Sequence, residues 1–316
     1  MWLQIRLYLL LALMFAIVYA LIVILASFIG ISGFLFYGIL ASFLLFIQYM
    51  IGPAMIDWSM RVRYVSEKEE PELHRMVSEL AQAAKIPKPK VGIARLPIPN
   101  AFAFGRSLRD ARVCVTDKIL QLLDKNELKA VLGHEVSHLK HRDVAIITML
   151  SVIPMICWYI FWSTLFAGRR NNLALVGIFA FIMYFITNLL VLYGSRIREY
   201  YADLGSVKLG NEPHFLASAL YKLVYGSARV PKESLKKVEG FKAFFANDPS
   251  RAWNEIKELK QIDLDLSGTI DKSELMALQT KLIRVTTTDK IMEMLSTHPN
   301  MLKRIKHLSS LITRAY

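Results

Sequence analysis

Four long apolar runs interrupt an otherwise polar chain: Leu7–Ile29, Gly33–Ile51, Val144–Ala167 and Leu173–Tyr193. Each comes near the roughly 20 apolar residues that a helix needs to cross a bilayer, so four transmembrane helices in two hairpins are predicted. The first run is too long for the apolar core of a signal peptide, lacks a small-residue cleavage site and leads almost directly into the second, so it reads as a span. Pro154 falls inside the third run and predicts a kink there. Elsewhere the pattern changes. "PELHRMVSELAQAAK" reads as a helix with Pro71 at the favoured first position. "KVGIARL" and "RVCVT" read as strands, with "PIPNAFAFG" between them. "DKNELKAVLGHEVSHLKH" is helical, with Asp124 and Glu127 at capping-box spacing. The expected class is α+β, a small β-sheet in a mainly helical soluble part. It falls into an N-terminal hairpin (1–55), a soluble stretch (56–143), a second hairpin (144–194) and a second soluble stretch (195–316).

Charge adds an orientation. The chain is 54% hydrophobic, yet carries a net charge of +13. Arg6, Arg61, Arg63, Lys140, Arg142, Arg196 and Arg198 flank the spans on one side, whereas the other side offers "GISG" and "GRRNN". Arg169 and Arg170 in the latter oppose the trend but are outnumbered. Basic residues favour the cytoplasmic side, so a multi-pass protein of the plasma membrane with cytoplasmic soluble parts is expected. The basic excess suits an anionic leaflet, and no nucleic-acid recognition motif accompanies it. Two cysteines, Cys114 and Cys157, imply no disulfide framework, and Cys114 reads as a core strand residue.

Chemistry concentrates in "HEVSH", residues 134–138. On a helix, positions four apart share a face, so His134 and His138 can grip one metal ion while Glu135 beside them serves as general base. The metzincin pattern is absent: position 141 is His rather than Gly, and no histidine follows it as far as Ser151. The downstream "SRIREYYAD" offers Glu199 and Asp203, again four apart. Glu199 can complete a His-His-Glu site of gluzincin type, and Asp203 can orient a ligand histidine from behind. The plainer alternative for both is an ordinary solvated helix edge, or pairing with Arg196 and Arg198. Six residues carry the chain from His138 to Val144, about 9 Å along a helix, so the metal is expected near the cytoplasmic bilayer surface.

The joint pattern of HExxH, an apolar hairpin and "SRIREYYAD", with "PNAFAFG" upstream and "THPNMLKRI" downstream, resembles the HtpX family of membrane zinc metalloproteases over nearly the whole chain. The CAAX prenyl proteases are more distant relatives. The resemblance implies that Glu199 is the third zinc ligand. It implies that Asn100, Ala101, Phe102 and Ala103 belong to an edge strand that pairs with substrate, and that His298 stabilises the oxyanion. Asn300 stands where the family pattern more often has a second proline. The implied substrates are misfolded membrane proteins or unfolded polypeptides, cleaved in quality control and stress response. The rival expectations are a CAAX-type prenyl-protein peptidase, disfavoured by the span count, and a non-catalytic scaffold or calcium sensor, disfavoured by the intact Glu135.

One motif lies outside that pattern. "DLDLSGTIDKSE" fits a 12-residue EF-hand loop, with Asp263, Asp265, Ser267, Thr269, Asp271 and Glu274 at the liganding positions and Gly268 at the sixth. Calcium or magnesium is the expected occupant, calcium first. The loop stands alone where such loops usually work in pairs, and the alternative is an acidic turn that folds without metal.

Overall fold

The computed structural model describes residues 32–166, 173–231, 252–283 and 286–312; the run Leu7–Ile29 lies outside them. In chain order the elements are α1 (Ser32–Ser59), β1 (Val62–Tyr64), α2 (Pro71–Ala84), β2 (Lys90–Ala94), β3 (Ala101–Phe104), β4 (Arg112–Thr116), α3 (Asp117–Leu122) and α4 (Lys125–His141). After these come α5 (Asp143–Phe166), α6 (Leu173–Lys208), α7 (Pro213–Ala228), α8 (Ala252–Leu259), α9 (Lys272–Ala277), α10 (Thr287–Met294) and α11 (Met301–Ser309). The chain divides into two compact units, one of residues 1–52 and 145–197, the other of residues 53–144 and 198–316.

Of the remaining apolar runs, Gly33–Ile51 lies within α1, Leu173–Tyr193 within α6, and residues 144–166 of the third within α5. Pro154 lies inside α5. Leu150 and Ile153 of α5 pack with Leu190 and Val191 of α6. Aromatic rings extend the contact, with Trp158 against Tyr184 and Phe161 against Phe181 at centroid distances of 5.0 and 4.7 Å. Among the described residues, one helix, Ala174–Lys208, is long and apolar enough by length and composition to cross a membrane; Ile153–Trp162 is a shorter apolar stretch.

The second unit joins a four-stranded sheet, of order β1-β2-β4-β3, to a helical core. β2 and β4 run parallel, and β3 closes one edge, antiparallel to β4 with Ala101 opposite Val115 and Ala103 opposite Val113. Phe102 and Phe104 point into a small cluster with Met60, Ala94 and Cys114. The helices α2, α4, α7 and α11 share the larger core. α7 is buried nearly all round, as a central helix must be.

Local chemistry explains where α4 begins and how it is held. Asp124 accepts from the amides of Asn126 and Glu127, and Glu127 accepts in turn from the Asp124 amide, the capping box expected from the spacing. Glu127 is buried and also binds Ser218 (2.6 Å) and Lys222 (2.8 Å) of α7, so this cap pins α4 to the central helix. Two glycines let α4 and the end of α6 approach closely. A Cβ at Gly205 would stand 1.9 Å from Ser137 Oγ, and one at Gly133 would stand 2.3 Å from Asn211 Nδ2. Between them Ser206 Oγ donates to the Ala130 carbonyl at 2.6 Å. This contact brings the HEVSH face against the segment that carries Glu199 and Asp203.

Candidate active site

His134 and His138 stand one turn apart on α4, and Glu199 faces them from α6. The two imidazole Nε2 atoms are 3.1 Å apart; Glu199 Oε2 lies 3.5 Å from the first and Oε1 3.5 Å from the second. Donors about 2.1 Å from one centre in tetrahedral array stand about 3.4 Å apart. The three groups therefore already have the spacing of a four-coordinate metal site. Glu199 Oε2 is buried and accepts no hydrogen bond of normal geometry, which an incoming cation would remedy. The donor chemistry, two imidazoles and a carboxylate, fits zinc. Glu199 and Asp203 are both buried, which excludes the solvated helix edge.

Each histidine is held from behind. His134 Nδ1 contacts Asp203 Oδ1 at 2.9 Å, and Asp203 receives Arg304 through Nη2 at 2.6 Å and Nε at 3.0 Å. Arg304 is wholly buried and also places Nη1 3.0 Å from Glu199. His138 Nδ1 meets Asp143 Oδ2 at 2.6 Å. Such contacts settle which imidazole nitrogen faces a metal.

The electrostatics follow from burial and these partners. Burial opposes charge on His134, but the neighbouring Asp203 and Glu199 carboxylates outweigh it and raise its pKa to about 9. Burial, reinforced by the charge of His134, lowers His138 to about 4. Burial works to raise Glu199, yet Arg304 and His298 hold it well below the carboxylate range. Asp203 is held at about 2 against the same burial penalty, mainly by Arg304. Glu135 is pushed up by burial, the direction that suits a general base working near neutral pH.

His298 is buried just before α11, its Nε2 3.8 Å from Glu199 Oε1 and its Nδ1 2.9 Å from Thr297 Oγ1. Asn300 accounts for the departure from the proline pattern: it caps α11 by accepting from the Lys303 amide at 3.3 Å, and its Nδ2 donates to Glu258 at 2.6 Å. The strand β3 packs against α4. With Phe102 and Phe104 turned into the core, what β3 presents at the sheet edge is main chain.

Residues 67–312 match the family model of Peptidase family M48. The chain belongs to peptidase family M48. A Protease HtpX homolog from Methanothermobacter thermautotrophicus is 55% identical over 222 residues, covering 70% of this chain and 86% of the relative. Another from Moorella thermoacetica is 39% identical over 231 residues, covering 70% and 77%. The crystal structure of S. mikatae Ste24p shares the fold at a TM-score of 0.50 and 16% identity, over 96% of this chain and 64% of that one. As an M48 enzyme of the HtpX kind, the protein is a metalloprotease. The sequence motifs pointed to His134, His138, Glu199, Asp203 and His298, and the M48 fold brings them together. They did not point to Asp143 or Arg304. Arg304 left one signal: it lies on the same helical stripe as Met301, Ile305 and Leu308, where a charge needs a buried partner.

Among the described residues, the other group that can hold a metal ion is Asp263, Asp265 and Glu274. Gly268 takes the left-handed conformation, φ +78°, expected at the sixth loop position. Its amide donates to Asp263 Oδ2 at 3.1 Å, and Tyr221 donates to the same oxygen at 2.6 Å. Glu274 accepts from the amides of Leu264 and Asp271 at 2.6 and 3.1 Å. Asp271 caps α9, and Ser267 Oγ lies 2.9 Å from Thr269 Oγ1.

Proposed function

We propose that this M48 enzyme is an integral membrane, zinc-dependent endopeptidase that cleaves misfolded or damaged membrane proteins at the cytoplasmic face. The observation that carries the reading is the tetrahedral spacing of His134, His138 and Glu199 beside an edge strand. Support for the membrane comes from α6, one helix whose apolar run ends at Tyr193 and whose later turns carry Glu199 and Asp203. The excess of basic residues at one set of span ends supports the cytoplasmic orientation.

In this reading His134, His138 and Glu199 hold zinc, which acidifies water and polarises a carbonyl. A substrate strand adds to the outer edge of β3, where main-chain hydrogen bonds grip any sequence and extended, unfolded segments are preferred. Glu135 takes a proton from the attacking water and passes it to the leaving amine. His298 donates a hydrogen bond to the developing oxyanion. The test is cleavage of casein, and of an unfolded membrane protein in liposomes, by the detergent-purified chain. Chelation is expected to abolish cleavage and added zinc to restore it. Zinc-loaded protein that cuts neither substrate would overturn the reading.

The same reading assigns calcium to the loop 263–274, on the convergence of Asp263, Asp265 and Glu274 and the conformation of Gly268. Calcium at a hundredfold excess over Kd is expected to stabilise the fold by about 2.7 kcal/mol, measured as a rise in Tm. Asp263→Asn with Glu274→Gln removes that rise; if calcium moves the Tm of the doubly substituted chain equally, the assignment is wrong.

A further inference from the structure

The two ligand histidines have matching supports, and only one of them belongs to the motif that suggested the site. His134 leans on Asp203, which leans on Arg304. His138 leans on Asp143 at 2.6 Å, and the other oxygen of Asp143 pairs with Arg198. Arg198 Nη2 also donates to the His141 carbonyl at 3.1 Å, at the C-terminus of α4. Asp143 and Arg198 are 7% and 4% exposed, a depth at which either charge alone is strongly unfavourable.

A backbone feature makes the contact possible. On an unbroken helix, residues five apart point about 140° away from each other, so Asp143 cannot face His138 while α4 continues. α4 stops at Arg142, which adopts the left-handed conformation at φ 55°, ψ 42°, its amide donating to the His138 and Leu139 carbonyls. The turn redirects the chain, and the first residue of α5 swings its carboxylate back onto His138. A non-glycine residue in this conformation is uncommon, and here it places Asp143 where its carboxylate meets both His138 and Arg198.

We propose that Asp143 and Arg198 are a positioning pair for His138. Asp143 keeps the imidazole proton on Nδ1 so that Nε2 is the free donor towards the metal, and Arg198 fixes the carboxylate that does so. Neither residue touches substrate or metal. The plainer alternative is a salt bridge that only closes the joint between α4 and α5, and the two ideas separate in metal affinity.

The inference rests on the reading that His134, His138 and Glu199 bind zinc, and the experiment tells its failure from the failure of that reading. Zinc dissociation constants are measured on the full-length chain in detergent, by competition with a chromophoric chelator. Thermal melting of the chelator-treated protein is followed in parallel. Asp143→Asn is expected to weaken zinc binding by about 10–100-fold, because an amide accepts more weakly and can turn its NH2 towards Nδ1. Since Arg198 is then buried without its carboxylate, the melting temperature also falls. The double substitution Asp143→Asn with Arg198→Met removes both charges. It is expected to recover most of the thermal stability and none of the zinc affinity. Zinc affinity of wild-type strength in the double variant would overturn the proposal and leave a purely structural ion pair. Wild-type protein that takes up no zinc would overturn the parent reading as well, an outcome distinct from zinc-loaded wild type and an equally tight variant.

Discussion

Glu135→Gln is expected to leave a folded, zinc-loaded protein that cleaves polypeptides about 10²–10⁴-fold more slowly, a barrier increase of about 3–5 kcal/mol. The substituted amide keeps the shape of the side chain and loses the ability to take a proton. Glu135 is not one of the three convergent metal donors, so zinc content should not change. That contrast is what gives the substitution its value. Loss of activity with metal retained assigns proton transfer to this carboxylate; loss of both would make it a support of the site. An unchanged cleavage rate would remove it from the chemistry altogether. Measured on casein alongside metal analysis, the result also separates an enzyme from a scaffold that merely binds zinc.

Arg304→Met should have the largest effect on the fold. The guanidinium is fully buried and bridges Asp203 and Glu199, two carboxylates that burial alone would drive towards protonation. Removing it leaves buried charge without its partner, a loss of about 3–5 kcal/mol. Arg304→Lys keeps the charge but not the planar fork that reaches both Asp203 oxygens. It should therefore lie between wild type and Arg304→Met in chemical denaturation. If Arg304→Met unfolds at the wild-type denaturant midpoint, the bridge from Arg304 to Asp203 and Glu199 is energetically neutral.

Much of this was legible from local sequence. The start of α2 at Pro71, the Asp124–Glu127 cap of α4, the strands β2 and β4 and the burial of Cys114 each depend on neighbours a few residues apart, so spacing and residue type suffice. The same holds for His134 and His138, whose shared helix face is set by the period of the helix. Asp143 was not legible because its orientation depends on one left-handed residue, Arg142, that nothing in the pattern marks. It reads simply as the polar head of an apolar run. Arg304 was not legible because its partners Asp203 and Glu199 lie on α6, Asp203 being 101 residues away, and meet it only in the finished fold. The plainer alternative for Glu199 and Asp203 fails at Arg198, which pairs with Asp143 rather than with its helical neighbours.

The distance in sequence between Asp203 and Arg304 also sets an order of events during synthesis. The ribosome delivers His134, His138, Glu199 and Asp203 first, and the cation that balances the last two emerges 101 residues after Asp203. At about 5–20 residues per second that interval is about 5–20 s. Throughout it, two acidic groups destined for the interior have no arginine to accompany them, and His298 is equally late. In the newborn chain, therefore, Glu199 and Asp203 wait for Arg304 and His298, and the assembled site is a late product of synthesis.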